Sequence, residues 1–199
     1  LYRKQSCITF TTMENGVKTV VVLAGGYSSE HEISLASGQT AFAAFEAAGY
    51  RTLFVKVERS GYSLDGKDVR IEDLGADYVF NSIHGSPGED GHISGVLEVL
   101  NIPHSTCATF QSALTFNKAQ CNAVLRDAWI QVPKGELFNE FPGAAAFKHW
   151  QFPVFVKPNC AGSSYGVSRV EEPTQLEAAF QYAFTEGRQV LVEEGVTGK

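Results

Sequence analysis

The chain has 199 residues, of which 44% are hydrophobic and 19% charged, enough to bury a core in one large or two small domains. Its net charge of −6 and isoelectric point near 5.4 argue against a nucleic-acid-binding surface, which would concentrate Lys and Arg on one face. No stretch approaches the roughly 20 apolar residues of a membrane span, so we expect a cytoplasmic protein that acts on small molecules, away from the membrane.

The start of the chain and its cysteines carry no functional signal. Residues 1–12 show neither a helical nor a strand period and are interpreted as a leader, with natural translation starting at Met13. The four cysteines are far apart and form no CxxC pair, which predicts neither a zinc site nor a disulfide framework.

Residues 13–107 are predicted to form an open, parallel-stranded, Rossmann-like α/β domain. Its elements alternate in the order strand 18–23, helix 33–48, strand 52–57, strand 78–83 and helix 93–100. Two polar turns rich in glycine follow strands of this sheet, at 24–32 and 84–91. Ligands of parallel sheets bind beyond the carboxyl ends of the strands, so the sequence places Glu30 and His84 near one cleft.

Residues 108–199 show a different pattern and are predicted to form a second, α+β domain, with the boundary near Cys107. Its elements are a helix over 112–128, a strand at 154–157, a glycine loop at 162–166, a strand at 167–170, a helix and a strand at 189–193. The two strands that flank the loop are expected to pair antiparallel. Thr174 and Glu177 have the spacing of a capping box for the last helix.

The glycine loop and the lysine before it have the composition of a phosphate-binding site. Lys157 supplies a positive charge at the end of a strand, and the loop Gly-Ser-Ser-Tyr-Gly supplies backbone N–H groups and hydroxyls that can surround phosphate oxygens. An ordinary hairpin turn beside an exposed lysine would give the same pattern. No Walker A motif accompanies the loop, which disfavours an ordinary P-loop protein.

The turn before the first helix and the turn at His84 could handle a substrate ammonium group or a proton. Glu30 and Glu32 supply carboxylates, and His84 precedes a glycine turn that is unusually polar for a core histidine. The alternatives are that Ser28 or Ser29 merely caps the helix and that His84 merely closes its loop.

Other charged residues have ordinary explanations when each is considered alone. Lys118 lies within a predicted helix, where a solvated lysine is the default. Glu193 and Glu194 end a strand and could face solvent.

Taken in order, the motifs resemble the D-alanine:D-alanine ligase family, whose members have the ATP-grasp fold. The resembling blocks are 24–34, 84–85, 88–91 with Gly95, 102–103, 117–118, 156–158, 162–166 and 190–193. This resemblance implies an N-terminal open parallel-sheet domain followed by the first α+β subdomain of an ATP-grasp fold. It also implies that ATP and two D-alanines give D-alanyl-D-alanine, ADP and phosphate through an acyl-phosphate, for peptidoglycan synthesis.

The resemblance also implies roles for individual residues. Glu30 would hold the ammonium group of the first D-alanine and form with Ser163 a hydrogen-bonded link that guides the second. Ile33 and His84 would lie beside the first substrate. The residues implied in ATP binding surround the glycine loop and the last strand: Lys118, Lys157, Gly162, Ser163, Ser164, Gly166, Glu193, the backbone at Glu194, and Val196.

Three further expectations come from the family. Its members usually have Asp at the position of Asn117 and often an aromatic residue at that of Gly195, so the adenine pocket is expected to be looser here. The Mg²⁺ ligands are expected beyond Lys199, which predicts a truncated chain of little activity. Family members are often homodimers.

Two other functions fit the same motifs. One is another ATP-grasp ligase that joins a carboxylate to a second substrate, such as a D-alanine:D-lactate ligase. The other is a non-catalytic ligand-binding module.

Overall fold

The computed structural model describes residues 18–197. Residues 1–17, which include the predicted leader and Met13, lie outside the described part. The described residues form two sheets. The strands of the first come before residue 82, and those of the second come after residue 134.

The first sheet has five strands in the order β4-β3-β2-β1-β5. Their bounds are β1 Thr19–Gly25, β2 Arg51–Glu58, β3 Gly61–Leu64, β4 Lys67–Val69 and β5 Tyr78–Asn81. β1 lies between β2 and β5 and pairs parallel with both. Every residue of β1 is buried, which agrees with the apolar run that predicted a strand covered on both faces.

The two faces of this sheet pack differently. Helix α2, His92–Val99, buries Ile93 and Leu97 in a core of aliphatic strand residues. Helix α1, His31–Ala47, covers the opposite face through its buried residues Ser34 and Gly38, while the larger apolar side chains of α1 are only partly buried. A β-carbon on Gly38 would lie 2.6 Å from the Ala24 side chain, so glycine is what allows the helix to approach β1 this closely.

The expectation of a purely parallel first sheet is wrong. Strands β3 and β4 form an antiparallel hairpin that extends β2 at one edge of the sheet. Their residues are mostly exposed or half-buried and polar, because an edge hairpin faces water. The hairpin therefore lacks the continuous apolar pattern that identified the other strands.

The single helix predicted over 112–128 is two helices, α3 Thr109–Phe116 and α4 Lys118–Asp127. Asn117 separates them in an extended conformation, and its side chain accepts a hydrogen bond from the backbone N–H of Gln120. Asn117 is thus the N-cap of α4, a position that asparagine favours, and Lys118 is the first residue of that helix.

The second sheet is antiparallel throughout and has the order β6-β9-β7-β8. Its strands are β6 Gly135–Phe138, β7 Val154–Pro158, β8 Ser168–Val170 and β9 Val190–Glu194. The sequence predicted all of these except β6, and the antiparallel pairing of β7 with β8 agrees with expectation. Helix α5, Leu176–Glu186, packs on one face over an aromatic core that includes Phe147 and Phe180.

The predicted capping box at the start of α5 is wrong. Pro173 begins a 3₁₀ turn that ends at Gln175, and the helix starts only at Leu176. The Thr174 hydroxyl consequently donates to the Glu172 carboxylate, at 2.6 Å, and caps no helix. Among residues 18–197, no helix is long and apolar enough to cross a membrane.

Candidate active site

Three segments meet between the two sheets, and together they hold half of the candidate residues. We call residues 26–30 the substrate turn, residues 84–91 the histidine turn and residues 162–166 the glycine loop. The first two follow β1 and β5, whose carboxyl ends lie side by side because the strands are parallel. The glycine loop follows β7 and reaches them from the second sheet.

Glu30 lies where the three segments meet. It is only 3% exposed, its carboxylate accepts a hydrogen bond from the Ser163 hydroxyl, and its Oε1 lies 4.0 Å from Nδ1 of His84. The backbone of Gly162 also lies close to Glu30, because a β-carbon on Gly162 would stand 2.6 Å from Oε2 of Glu30. The structure therefore brings Glu30, Ser163 and His84 together, although they are far apart in sequence.

Serine side chains tie the substrate turn to the strand ends. The Ser28 hydroxyl donates to the His84 carbonyl at 2.8 Å and accepts from the backbone N–H of Glu30 at 3.2 Å. The Ser34 hydroxyl accepts from the backbone N–H of Gly25 and donates to the Ser82 carbonyl. Helix α1 has Glu30 as its N-cap without a side-chain capping bond, so the alternative in which Ser28 or Ser29 caps the helix is wrong.

The glycine loop holds two serines in an unfavourable backbone conformation. Ser163 and Ser164 have φ values of +41° and +63°, in the left-handed region that non-glycine residues seldom adopt. Two backbone bonds maintain this shape, from the N–H of Tyr165 to the Gly162 carbonyl and from that of Val167 to the Ser164 carbonyl. Such strain concentrates at ligand-binding segments, which favours a binding role for this loop over a plain hairpin turn.

Lys118 and Lys157 approach the glycine loop from two elements. The Lys118 ammonium group donates to the Ala161 carbonyl at 2.6 Å, so its reading as a solvated helical lysine is wrong. Burial, and secondly the charge of Lys157, lowers the pKa of Lys118 below its usual value. Lys157 is paired with Glu193, whereas the Lys118 ammonium group donates to backbone carbonyls. A bound polyphosphate would offset the repulsion between the two ammonium groups.

Glu193 is buried, and its reading as a solvent-facing residue is wrong. Its side chain is 7% exposed, pairs with the Lys157 ammonium group and accepts a hydrogen bond of 2.6 Å from the Asn122 amide. Glu194 is half-buried and pairs with Lys134 at 3.4 Å. Both carboxylates therefore have partners that sequence spacing does not reveal.

Asn159 was not predicted as part of the site. It is 1% exposed, its side-chain amide donates to Asn117 and Gln189, and its side-chain oxygen accepts from the backbone N–H of Ala119. Its carbonyl accepts from the backbone N–H of Lys118 at 3.1 Å. Asn159 thus fastens the start of α4 to the end of β7, and only its contacts distinguish it from an ordinary loop asparagine.

Two cavities flank the meeting point of the turns. A pocket of about 270 Å³ is lined by Glu30, Arg59, Gly162 and Glu186, among others. A more open groove of about 840 Å³ lies on the side of His84 and Glu89. Ile33 is 47% exposed and lines neither cavity, so the ligand-free geometry does not bring it to the site.

Val196 lies apart from the other candidates. It is 70% exposed and borders a groove of about 600 Å³ together with Arg126, Trp129 and Pro133. Val196 follows β9, whose last residues are Glu193 and Glu194, by two positions in the chain.

The described residues do not offer a magnesium site. Between residues 18 and 197 there is no group of three or more His, Cys, Asp or Glu side chains that could hold a metal ion. We therefore assign no chemical step to a metal held by these residues.

A mixed sheet with a parallel part, followed by an antiparallel sheet that carries a glycine loop, is consistent with part of an ATP-grasp fold. Comparison with known proteins narrows this class. Residues 113–199 match the family described as "D-ala D-ala ligase C-terminus". A D-alanine–D-alanine ligase of Azobacteroides pseudotrichonymphae is 33% identical over 200 residues, which cover 92% of this chain and 62% of that protein.

Solved structures agree with the sequence match. D-alanyl-alanine synthetase A of Vibrio cholerae superposes with a TM-score of 0.77 at 31% identity, over 91% of this chain and 61% of that one. The VanG D-Ala:D-Ser ligase of Enterococcus faecalis gives a TM-score of 0.70 at 30% identity, over 92% and 64%. The resemblance is confirmed: the chain is similar to part of the D-alanine–D-alanine ligases and spans about three fifths of the length of these relatives.

Proposed function

We propose that this chain forms the ATP-phosphate site and the first amino-acid site of an ATP-dependent D-alanine–D-alanine ligase. The observation that carries the proposal is the hydrogen bond between Ser163 and Glu30, because it joins the glycine loop to the substrate turn. Lys118 lies at the base of the same loop. These contacts support a site in which a phosphate-binding loop lies against a buried carboxylate that can bind an ammonium group.

The proposed reaction has two steps. The carboxylate of the first D-alanine attacks the γ-phosphorus of ATP, which gives an acyl-phosphate and ADP. The amine of the second D-alanine then attacks the acyl carbon, forms the peptide bond, releases phosphate and gives up a proton. Both steps develop negative charge on phosphoryl oxygens, so cations and backbone N–H groups fixed around them lower the barrier.

The substrate turn would orient the first D-alanine. The buried Glu30 carboxylate accepts hydrogen bonds from its ammonium group, and His84, 4.0 Å from Glu30, lies beside it. The Ser163 hydroxyl occupies one side of the carboxylate and so fixes its orientation. Glu30 and Ser163 also guide the second D-alanine in this proposal.

The two lysines would bind the phosphates beneath the glycine loop. Lys118 now donates to the Ala161 carbonyl, and a phosphate oxygen is a stronger acceptor that would compete for the same ammonium group. Lys157 is held in place by Glu193, which orients its charge. Gly162, Ser164 and Gly166 allow the loop to lie close over the phosphates and to exclude the water that would hydrolyse the acyl-phosphate.

The adenine would lie toward the end of β9. Glu193, the backbone at Glu194 and Val196 follow one another along this strand end, and Val196 borders an open groove. Support for this placement comes from the resemblance of the motif 190–193.

Other features of the whole protein rest on the family resemblance. We propose that Mg²⁺ accompanies ATP, that the enzyme acts in the cytoplasm on peptidoglycan precursors, and that it forms a homodimer. A soluble enzyme with two small-molecule substrates fits the acidic, mixed-charge composition.

The structural match to VanG makes a different second substrate the strongest alternative, because the solved protein is a D-Ala:D-Ser ligase. The proposed first-substrate site would serve either reaction. Offering D-alanine, D-serine and D-lactate as second substrates to the same enzyme separates these possibilities.

The test is D-alanine-dependent ADP release by the complete gene product, beside a Glu30→Gln variant and a Glu32→Gln control. Glu32 is the exposed carboxylate two residues along the same segment. We expect turnover in the wild type and the control and a loss of at least about 100-fold in Glu30→Gln, because the substrate ammonium group loses its charged partner. ATP binding without turnover in the wild type would instead support the non-catalytic module.

A further inference from the structure

Glu186 lies at the end of its helix where a carboxylate is unfavourable for helix stability. It is the last residue of α5, and no basic residue lies in the last turn. A carboxylate at this end of a helix faces the negative end of the helix dipole, which is unfavourable. Glu186 is nevertheless half-buried, so another interaction holds it there.

That interaction joins helix α5, which packs on the second sheet, to the turn that follows β1 of the first sheet. The Ser29 hydroxyl lies 2.8 Å from one carboxylate oxygen of Glu186 and 3.0 Å from the other, and it donates to this carboxylate. Ser29 belongs to the substrate turn and directly precedes Glu30. One residue of α5 therefore contacts the segment that carries the buried carboxylate of the proposed site.

Glu186 also contacts the end of the glycine loop. A β-carbon on Gly166 would stand 3.1 Å from the Cγ of Glu186, so the two residues pack closely. The start of the loop, Gly162, approaches Glu30 in the same way. Glu30 thus contacts the start of the glycine loop directly, whereas Ser29 is connected to its end through Glu186.

We propose that Ser29 and Glu186 are positioning residues that form a second link between the substrate turn and the glycine loop, parallel to the bond between Ser163 and Glu30. The link holds the loop closed at its far end and limits the entry of water into the 270 Å³ pocket, which both Ser29 and Glu186 line. The role in catalysis rests on the proposed function, whereas the role in holding the loop does not.

The first test measures hydrogen exchange of the backbone amides at 162–166 in the ligand-free chain. Because Ser29→Ala and Glu186→Ala each remove the same bond, both should raise the exchange rate about tenfold, and the double variant should exchange no faster than either one. Glu186→Gln keeps an acceptor for Ser29 and should remain close to wild type. Glu177→Gln removes an exposed carboxylate from the first turn of the same helix and is the matched control.

The second test compares ADP released with dipeptide formed by the complete gene product. If the link excludes water, Glu186→Ala should release at least about twice as much ADP as dipeptide, because water converts the acyl-phosphate back to D-alanine and phosphate. Wild type and Glu186→Gln should form the two products in nearly equal amounts. A loss of fold stability alone would lower both products together.

The outcomes separate this inference from the proposed function. Unchanged exchange in Glu186→Ala, or an equal rise in Glu177→Gln, would overturn the link. Exchange that rises as expected, in a protein whose wild type shows no D-alanine-dependent ADP release, would support the link and overturn the proposed function. Coupled product formation in Glu186→Ala would overturn the water-excluding role.

Discussion

Replacement of Asn159 by alanine tests how the start of α4, which carries Lys118, is held against β7. The side chain makes three hydrogen bonds at a site that is 1% exposed: to Asn117 at 3.0 Å, to Gln189 at 3.2 Å and from the backbone of Ala119 at 2.9 Å. With about 1 kcal/mol for each bond, and more where a partner is left unsatisfied, the loss should be about 3 kcal/mol. This is a large part of the roughly 5–15 kcal/mol that stabilises a typical domain.

The assay is urea unfolding followed by tryptophan fluorescence, because Trp150 is buried in the core that packs against the second sheet. Asn139→Ala is the control, since Asn139 is exposed and accepts a hydrogen bond from the same Gln189; it should change stability by less than about 0.5 kcal/mol. A loss below about 1 kcal/mol in Asn159→Ala would refute the view that this side chain fastens α4 to β7.

Three further predictions concern the glycine loop, a lysine and a helix end. Gly162→Ala should lower ADP release by about 100-fold, because its β-carbon would stand 2.6 Å from the Glu30 carboxylate and displace it. ATP affinity, followed by calorimetry, should be full below the lowered pKa of Lys118 and decline as pH rises through it, since binding requires the ammonium form. Trp129→Gly should raise the unfolding free energy by about 1 kcal/mol, because Trp129 is 95% exposed and adopts a φ of +61° directly after the end of α4.

Each of these predictions has a matched comparison. Ala161→Gly changes the residue directly before the glycine loop without adding an atom and should keep most activity. Normal activity in Gly162→Ala would show that Glu30 tolerates the added β-carbon. Lys118→Arg stays charged and should flatten the decline with pH; a decline of equal slope would assign the titration to another group. Trp129→Ala removes the side chain but keeps the strained backbone, so stabilisation equal to that of glycine would contradict the conformational argument.

Much of the fold follows from local pattern. The run of valines in β1 predicts a strand buried on both faces, and the glycines after it predict a sharp turn, because these features depend on residues that are adjacent in sequence. The hairpin β3–β4 escaped prediction because an exposed edge needs no apolar period. The division of the predicted helix at Asn117 was not predicted, because the apolar pattern continues through this position.

Part of the candidate site could likewise be predicted from local sequence, whereas the rest depends on contacts between distant residues. The composition around Lys157 and the glycine loop predicts a phosphate-binding site. The order of the motifs indicates the family. Burial of Glu193, by contrast, depends on Lys157 and Asn122, which come from two other elements and are invisible to any local rule. The bond between Ser29 and Glu186 likewise joins the turn after β1 to the end of helix α5, so only the folded structure reveals it.

D-alanine-dependent release of ADP with formation of D-alanyl-D-alanine by the complete gene product tests the central claim most directly. The account predicts that both products appear together, that L-alanine does not replace D-alanine, and that Glu30→Gln abolishes both without unfolding the protein. ADP release that ignores D-alanine, or activity that survives Glu30→Gln, would contradict the assignment of the substrate turn and the glycine loop to one ligase active site.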